Sequence, residues 1–125
     1  MWDKVGPKKK RGPWKLQPDN FTPSRRTPWG GRRIIEDLKA DLVPEYPATV
    51  GVAWELSVEP VFPSRRADGR QLDEVLLADP ELLGREAALG STAILVKLVD
   101  PADDLSLQIH PAVDEPALEP GHSGK

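Results

Sequence analysis

Proline punctuates this chain so densely that no long regular element fits between its breaks. Fourteen of the 125 residues are Pro. Each fixes φ, removes a backbone donor, and ends or kinks a helix interior or a central strand. The spacing predicts many short elements joined by turns. A chain of this length makes one domain or less. With 38% hydrophobic residues it can bury a modest core. No window approaches the roughly 20 apolar residues of a membrane-spanning helix, and no apolar stretch of a secretory signal follows the N-terminal lysines. Cysteine is absent. That excludes disulfides, thiolate metal sites and Cys nucleophiles, and it is compatible with a reducing cytoplasm, the expected compartment.

The net charge of −3 hides an asymmetry. Residues 1–33 carry 10 Lys/Arg against 2 Asp/Glu, whereas residues 34–125 carry 7 against 18. Residues 1–13 are basic, punctuated by Gly and Pro, and hold little to bury. They read as a mobile leader, with the domain proper at residues 14–125. Lys8, Lys9, Lys10 and Arg11 beside Trp14 raise a nucleic-acid reading. The cluster is short, and the acidic remainder repels phosphates. A solvated tail is the better reading, so neither nucleic acid nor membrane is expected as a partner.

Residues 14–17 read as a short strand before the turn at Pro18, Asp19 and Asn20. Residues 22–31 are a loop closed by a diglycine. Ile34, Ile35 and Leu38 have helical spacing, so residues 33–40 are predicted as a short helix. Residues 52–57 alternate as a strand, with Val52, Trp54 and Leu56 on one face and Ala53, Glu55 and Ser57 on the other. Residues 72–78 have helical spacing at Leu72, Val75 and Leu76. A helical turn follows from Pro80, with Gly84 near its end. Residues 93–99, apolar except for Lys97, predict a buried strand, paired antiparallel with the next one across the connection at residues 101–104. The three prolines and two glycines of residues 111–125 predict a loop.

That next strand, residues 105–111 (LSLQIHP), is where chemistry concentrates. Side chains two apart in a strand share a face. Ser106, Gln108 and His110 therefore point one way, and Leu105, Leu107 and Ile109 the other. Three polar side chains in a row, one an imidazole, have the character of a site lining, and metal binding is one reading. On spacing alone that signal is weak. Zn²⁺ prefers His, Cys and carboxylate ligands, and a lone strand His is more often an ordinary hydrogen-bonded residue. Other chemistries are absent. There is no Gly-x-Ser-x-Gly elbow. Residues 121–125 (GHSGK) lack the upstream Gly of a phosphate loop, and His122 reads as a solvated loop residue.

Six segments stand in a telling order: Trp29-Gly30-Gly31 before a short helix; Ala53-Trp54-Glu55-Leu56-Ser57; Leu72-Asp73-Glu74-Val75 with Pro80-Glu81-Leu82-Leu83-Gly84; Ile94-Leu95-Val96-Lys97-Leu98-Val99-Asp100; Asp103-Asp104 leading into Gln108-Ile109-His110-Pro111; and Gly121-His122-Ser123-Gly124-Lys125. This order resembles the N-terminal portion of type I mannose-6-phosphate isomerase, a zinc enzyme of the cupin superfamily, over residues 14–125. The resemblance implies a mainly β chain with short helices (α+β), part of a truncated jelly-roll barrel. It implies Gln108 and His110 as zinc ligands, Ser106 as a contact for the substrate phosphate, and Lys125 as an active-site Lys in substrate binding or proton transfer. The implied substrates are mannose 6-phosphate and fructose 6-phosphate.

The chain departs from the family at Gly51-Val52-Ala53, where members commonly carry Gly-Glu. The family's third ligand, a Glu two residues past Lys125, and its more distant fourth ligand, a His, are not among the 125 residues. Two neutral ligands hold Zn²⁺ poorly. Weak or no zinc binding by this chain alone is therefore expected, with a complementing chain or C-terminal portion supplying the rest. The rival expectation is a non-catalytic, cupin-like module that binds sugar phosphate, or a gene remnant.

Overall fold

The computed structural model describes residues 12–109. They form a small mixed α/β unit around a two-stranded antiparallel sheet, with short helical segments as the proline spacing requires. Strands β1 (Val52–Leu56) and β2 (Val96–Val99) pair Val52 with Val99, Ala53 with Leu98 and Trp54 with Lys97. On its other edge β1 takes up residues 20–22. Thr22 N–H donates to the Val52 carbonyl at 3.0 Å, and Trp54 N–H donates to that of Asn20 at 2.8 Å. The expected strand at residues 14–17 is reduced to one bridge, between Leu16 and Arg66.

Beyond Val52 and Val99 the diglycine wedges in, with Gly31 bridged to Val50 and Gly30 to Pro101. A Cβ on Gly30 would lie 2.5 Å from the Gly51 nitrogen, so the backbones approach more closely than any side chain permits. The loop at residues 22–31 thus ends in a structural wedge.

The predicted helix at residues 33–40 is a π turn over Ile34–Leu38. Lys39 N–H donates to the Ile34 carbonyl five residues back, at 2.8 Å. Ile34 and Ile35 face inward and form the core with Phe21, Val50 and Ala53. Phe21 also meets Tyr46 edge to face, centroids 5.0 Å apart.

The alternation read in β1 holds, and its inward face is the small and polar one. Ala53 and Ser57 are fully buried, while Val52, Trp54 and Leu56 are half-buried. Ser57 and Ser64 satisfy each other on this face. Ser57 N–H donates to Ser64 Oγ at 2.9 Å, and Ser64 N–H donates to the Ser57 carbonyl at 2.8 Å. Glu55 pairs with Lys39, whose side chain is only 6% exposed. Lys39 Nζ also donates to the Pro18 carbonyl at 2.6 Å and lies over the Phe21 ring. Helix α1 (Leu72–Ala78) buries Leu72, Val75 and Leu76, as its spacing predicts. A 3₁₀ segment, Pro80–Leu89, follows it and kinks at Gly84 (φ 56°), where only Gly sits easily.

Two expectations are corrected. The run 93–99 was expected to be a buried strand. Its strand covers only Val96–Val99, and Val96 and Val99 are 41% and 50% exposed, because no described element lies over them. Its strand partner is β1; of the segment expected to pair with it, residues 110–111 lie outside the described residues. Residues 105–109 adopt no regular structure, because no described backbone lies beside them to complete a ladder. No helix among the described residues is long and apolar enough to cross a membrane.

Candidate functional site

The segment carrying the candidate site leaves the fold at an anchored corner. Asp100 closes β2 and is 7% exposed. Its N–H donates to the Gly51 carbonyl at 2.9 Å, and its carbonyl accepts from Gly31 N–H at 3.0 Å. Its Oδ2 accepts from Arg33 N–H at 2.8 Å, placing a carboxylate on the opening amide of the π turn. Ala102 N–H then donates to the Trp29 carbonyl at 2.8 Å. The chain continues into residues 103–109, all exposed.

The Ser106 and Gln108 side chains meet in that segment. Gln108 Nε2 donates to Ser106 Oγ at 3.4 Å. Both side chains are exposed to solvent. Leu107 and Ile109 are 97% and 91% exposed. His110, Lys125 and His122 lie outside the described residues. Clefts among the described residues include one lined by Ile34, Leu38, Leu98 and Val99 with Asp100, and another lined by Gln17, Asp19, Asn20 and Arg65. Neither includes Ser106 or Gln108.

Trp29 and Trp54 both do structural work. The Trp54 indole N–H donates to Thr22 Oγ1 at 2.9 Å. Its ring stacks on Phe62 at 5.0 Å, with Lys97 over its other face at 4.8 Å and Arg26 over Phe62 at 5.3 Å. The Trp29 ring packs beside Gly51, where an added Cβ would meet it at 2.9 Å. The sequence reading missed Asp100. Its signal was a carboxylate ending an apolar strand just before the site segment.

The donor set fits zinc in part. Of the two neutral groups, the His110 imidazole is of a type zinc prefers, whereas the Gln108 amide oxygen is not among its preferred ligands. Among the described residues no three His, Cys, Asp or Glu side chains gather as a metal site. Compared with protein-family models, curated proteins and solved structures, the chain matches none.

Proposed function

We propose that the chain carries part of the active site of a zinc-assisted aldose-ketose isomerase acting on hexose phosphates. The reaction is interconversion of mannose 6-phosphate and fructose 6-phosphate, within a cupin-type barrel to which residues 14–125 contribute the N-terminal part. The six ordered motifs support this reading. The single observation that carries it is the hydrogen bond from Gln108 to Ser106. It brings together the two polar side chains that this reading assigns to phosphate and zinc.

In this reading the Ser106 hydroxyl donates to the substrate phosphate, a charge-assisted bond. Gln108 Oε1 and the His110 imidazole hold the zinc. Bound there, zinc supplies Lewis acidity that steadies negative charge at the sugar carbonyl oxygen. Isomerisation moves a proton between C1 and C2 through a cis-enediol-type intermediate, and it needs a base beside those carbons. Lys125 is the residue of this chain assigned to the sugar, for contact or proton transfer.

Sugar-phosphate binding tests the proposal. Mannose 6-phosphate should bind the zinc-supplied protein saturably. Ser106→Ala should weaken that binding about tenfold, close to 1.4 kcal/mol, and mannose itself should be indifferent to the change. A coupled assay for fructose 6-phosphate separates turnover from binding without turnover. Absence of saturable binding, or equal binding of mannose and its phosphate, contradicts the proposal.

A further inference from the structure

The site segment has one firm attachment to the described fold, at residues 100–102. Two separate pieces of chain, residues 29–33 and Gly51, converge on it. Gly51 and Gly31 hold the Asp100 backbone, Arg33 N–H holds its carboxylate, and Trp29 holds Ala102. Past Ala102, the hydrogen bonds of residues 103–109 run within the segment: Asp104 N–H to the Asp103 carboxylate, and Gln108 to Ser106. Where Ser106 and Gln108 stand therefore depends on the direction in which the chain leaves this corner. The backbone bonds at Asp100 continue the β1 and β2 ladder. The carboxylate bond is different, because it ties the exit point to the opening of the π turn, an element of the core.

We propose that Asp100 is the positioning residue of the candidate site, its carboxylate fixing the exit of residues 103–109 against the start of the π turn. That residues 106–110 form a zinc and sugar-phosphate site rests on the reading above. The anchor is tested without any ligand, so the two can fail separately.

The chain has no Cys, which makes paired spin labelling clean. Labels on Leu77→Cys and Ile109→Cys, both at exposed positions (82% and 91%), report the distance distribution from α1 to the site segment. A control pair on Leu42→Cys and Leu77→Cys reports the fold itself. In the otherwise unaltered chain the Leu77 to Ile109 distribution should be narrow. Asp100→Ala should broaden it about twofold while leaving the control pair unchanged. Asp100→Asn, which keeps an acceptor oxygen for Arg33 N–H, should restore the narrow distribution. If Asp100→Ala does not fold, Arg33→Pro removes the same bond from the donor side, since Arg33 already has the φ of −66° that Pro adopts. It should broaden the distribution likewise. The proposal is overturned by an unchanged width, by equal broadening of the control pair, or by an unaltered chain already as broad as the variant.

Discussion

The Asp100 carboxylate stands where a Gly31 side chain would have to be. Asp100 Oδ2 lies 2.5 Å from the position of a Gly31 Cβ, and the two residues are joined through their backbones at 3.0 Å. The diglycine is thus the spacer that lets β1, β2 and the π turn meet at one corner.

Alanine at either glycine should destabilise the protein. The obstacle at Gly30 is the Gly51 backbone, which cannot rotate away, so Gly30→Ala should cost about 3 kcal/mol, the upper part of the overpacking range. At Gly31 the obstacle is a side chain, itself bonded to Arg33. Its cost should be smaller, about 2 kcal/mol. Urea unfolding midpoints check both.

Lys39 and Glu55 form a tie across the inner face of β1. Lys39→Met keeps the apolar stem but leaves the Glu55 carboxylate and the Pro18 carbonyl without their cation. It should cost about 3 kcal/mol, the low end for a buried pair because Glu55 is 32% exposed. Glu55→Gln retains an acceptor oxygen and should cost about 1 kcal/mol. A double-mutant cycle gives the coupling between them.

Ser64 satisfies a buried donor. In Ser64→Ala the Ser57 N–H loses its acceptor at a fully buried position. The expected loss is about 2 kcal/mol. Ser64→Thr, which retains an Oγ, should recover part of it, and thermal denaturation of the two variants makes the comparison.

How much of this was legible in the sequence varies with how local the cause is. The spacing of Leu72, Val75 and Leu76 gave α1, because one amphipathic face suffices to define a short helix. Ile34, Ile35 and Leu38 gave a helical segment but not its π winding, since apolar spacing over five residues does not distinguish one helical winding from another. The diglycine was readable as a turn and not as a wedge, since Gly51 and Asp100 reach it only through tertiary structure. Hydropathy made Val96 and Val99 look interior, yet burial is set by what packs over them. In the candidate site, alternation put Ser106 and Gln108 on one face of a strand, and in the irregular segment observed the two side chains meet by a hydrogen bond. A strand at residues 105–109 needs a partner backbone, and alternation cannot supply one.

Leu107 and Ile109 contribute no described packing. Leu107→Ser together with Ile109→Ser should change stability by no more than about 0.5 kcal/mol. Self-association should fall, because two exposed apolar side chains are removed. Denaturant midpoints and light scattering check the two effects separately.

The central claim is that Gln108 and His110 are zinc ligands of a sugar-phosphate site. A zinc titration of the isotope-labelled chain, followed by NMR at the Gln108 side-chain amide and the His110 ring, tests it most directly. The account predicts that these two signals shift together and saturate only well above about 1 µM zinc, as two neutral ligands allow. Gln108→Leu and His110→Ala should each abolish the response. Zinc shifts elsewhere in the chain that survive both substitutions would contradict it.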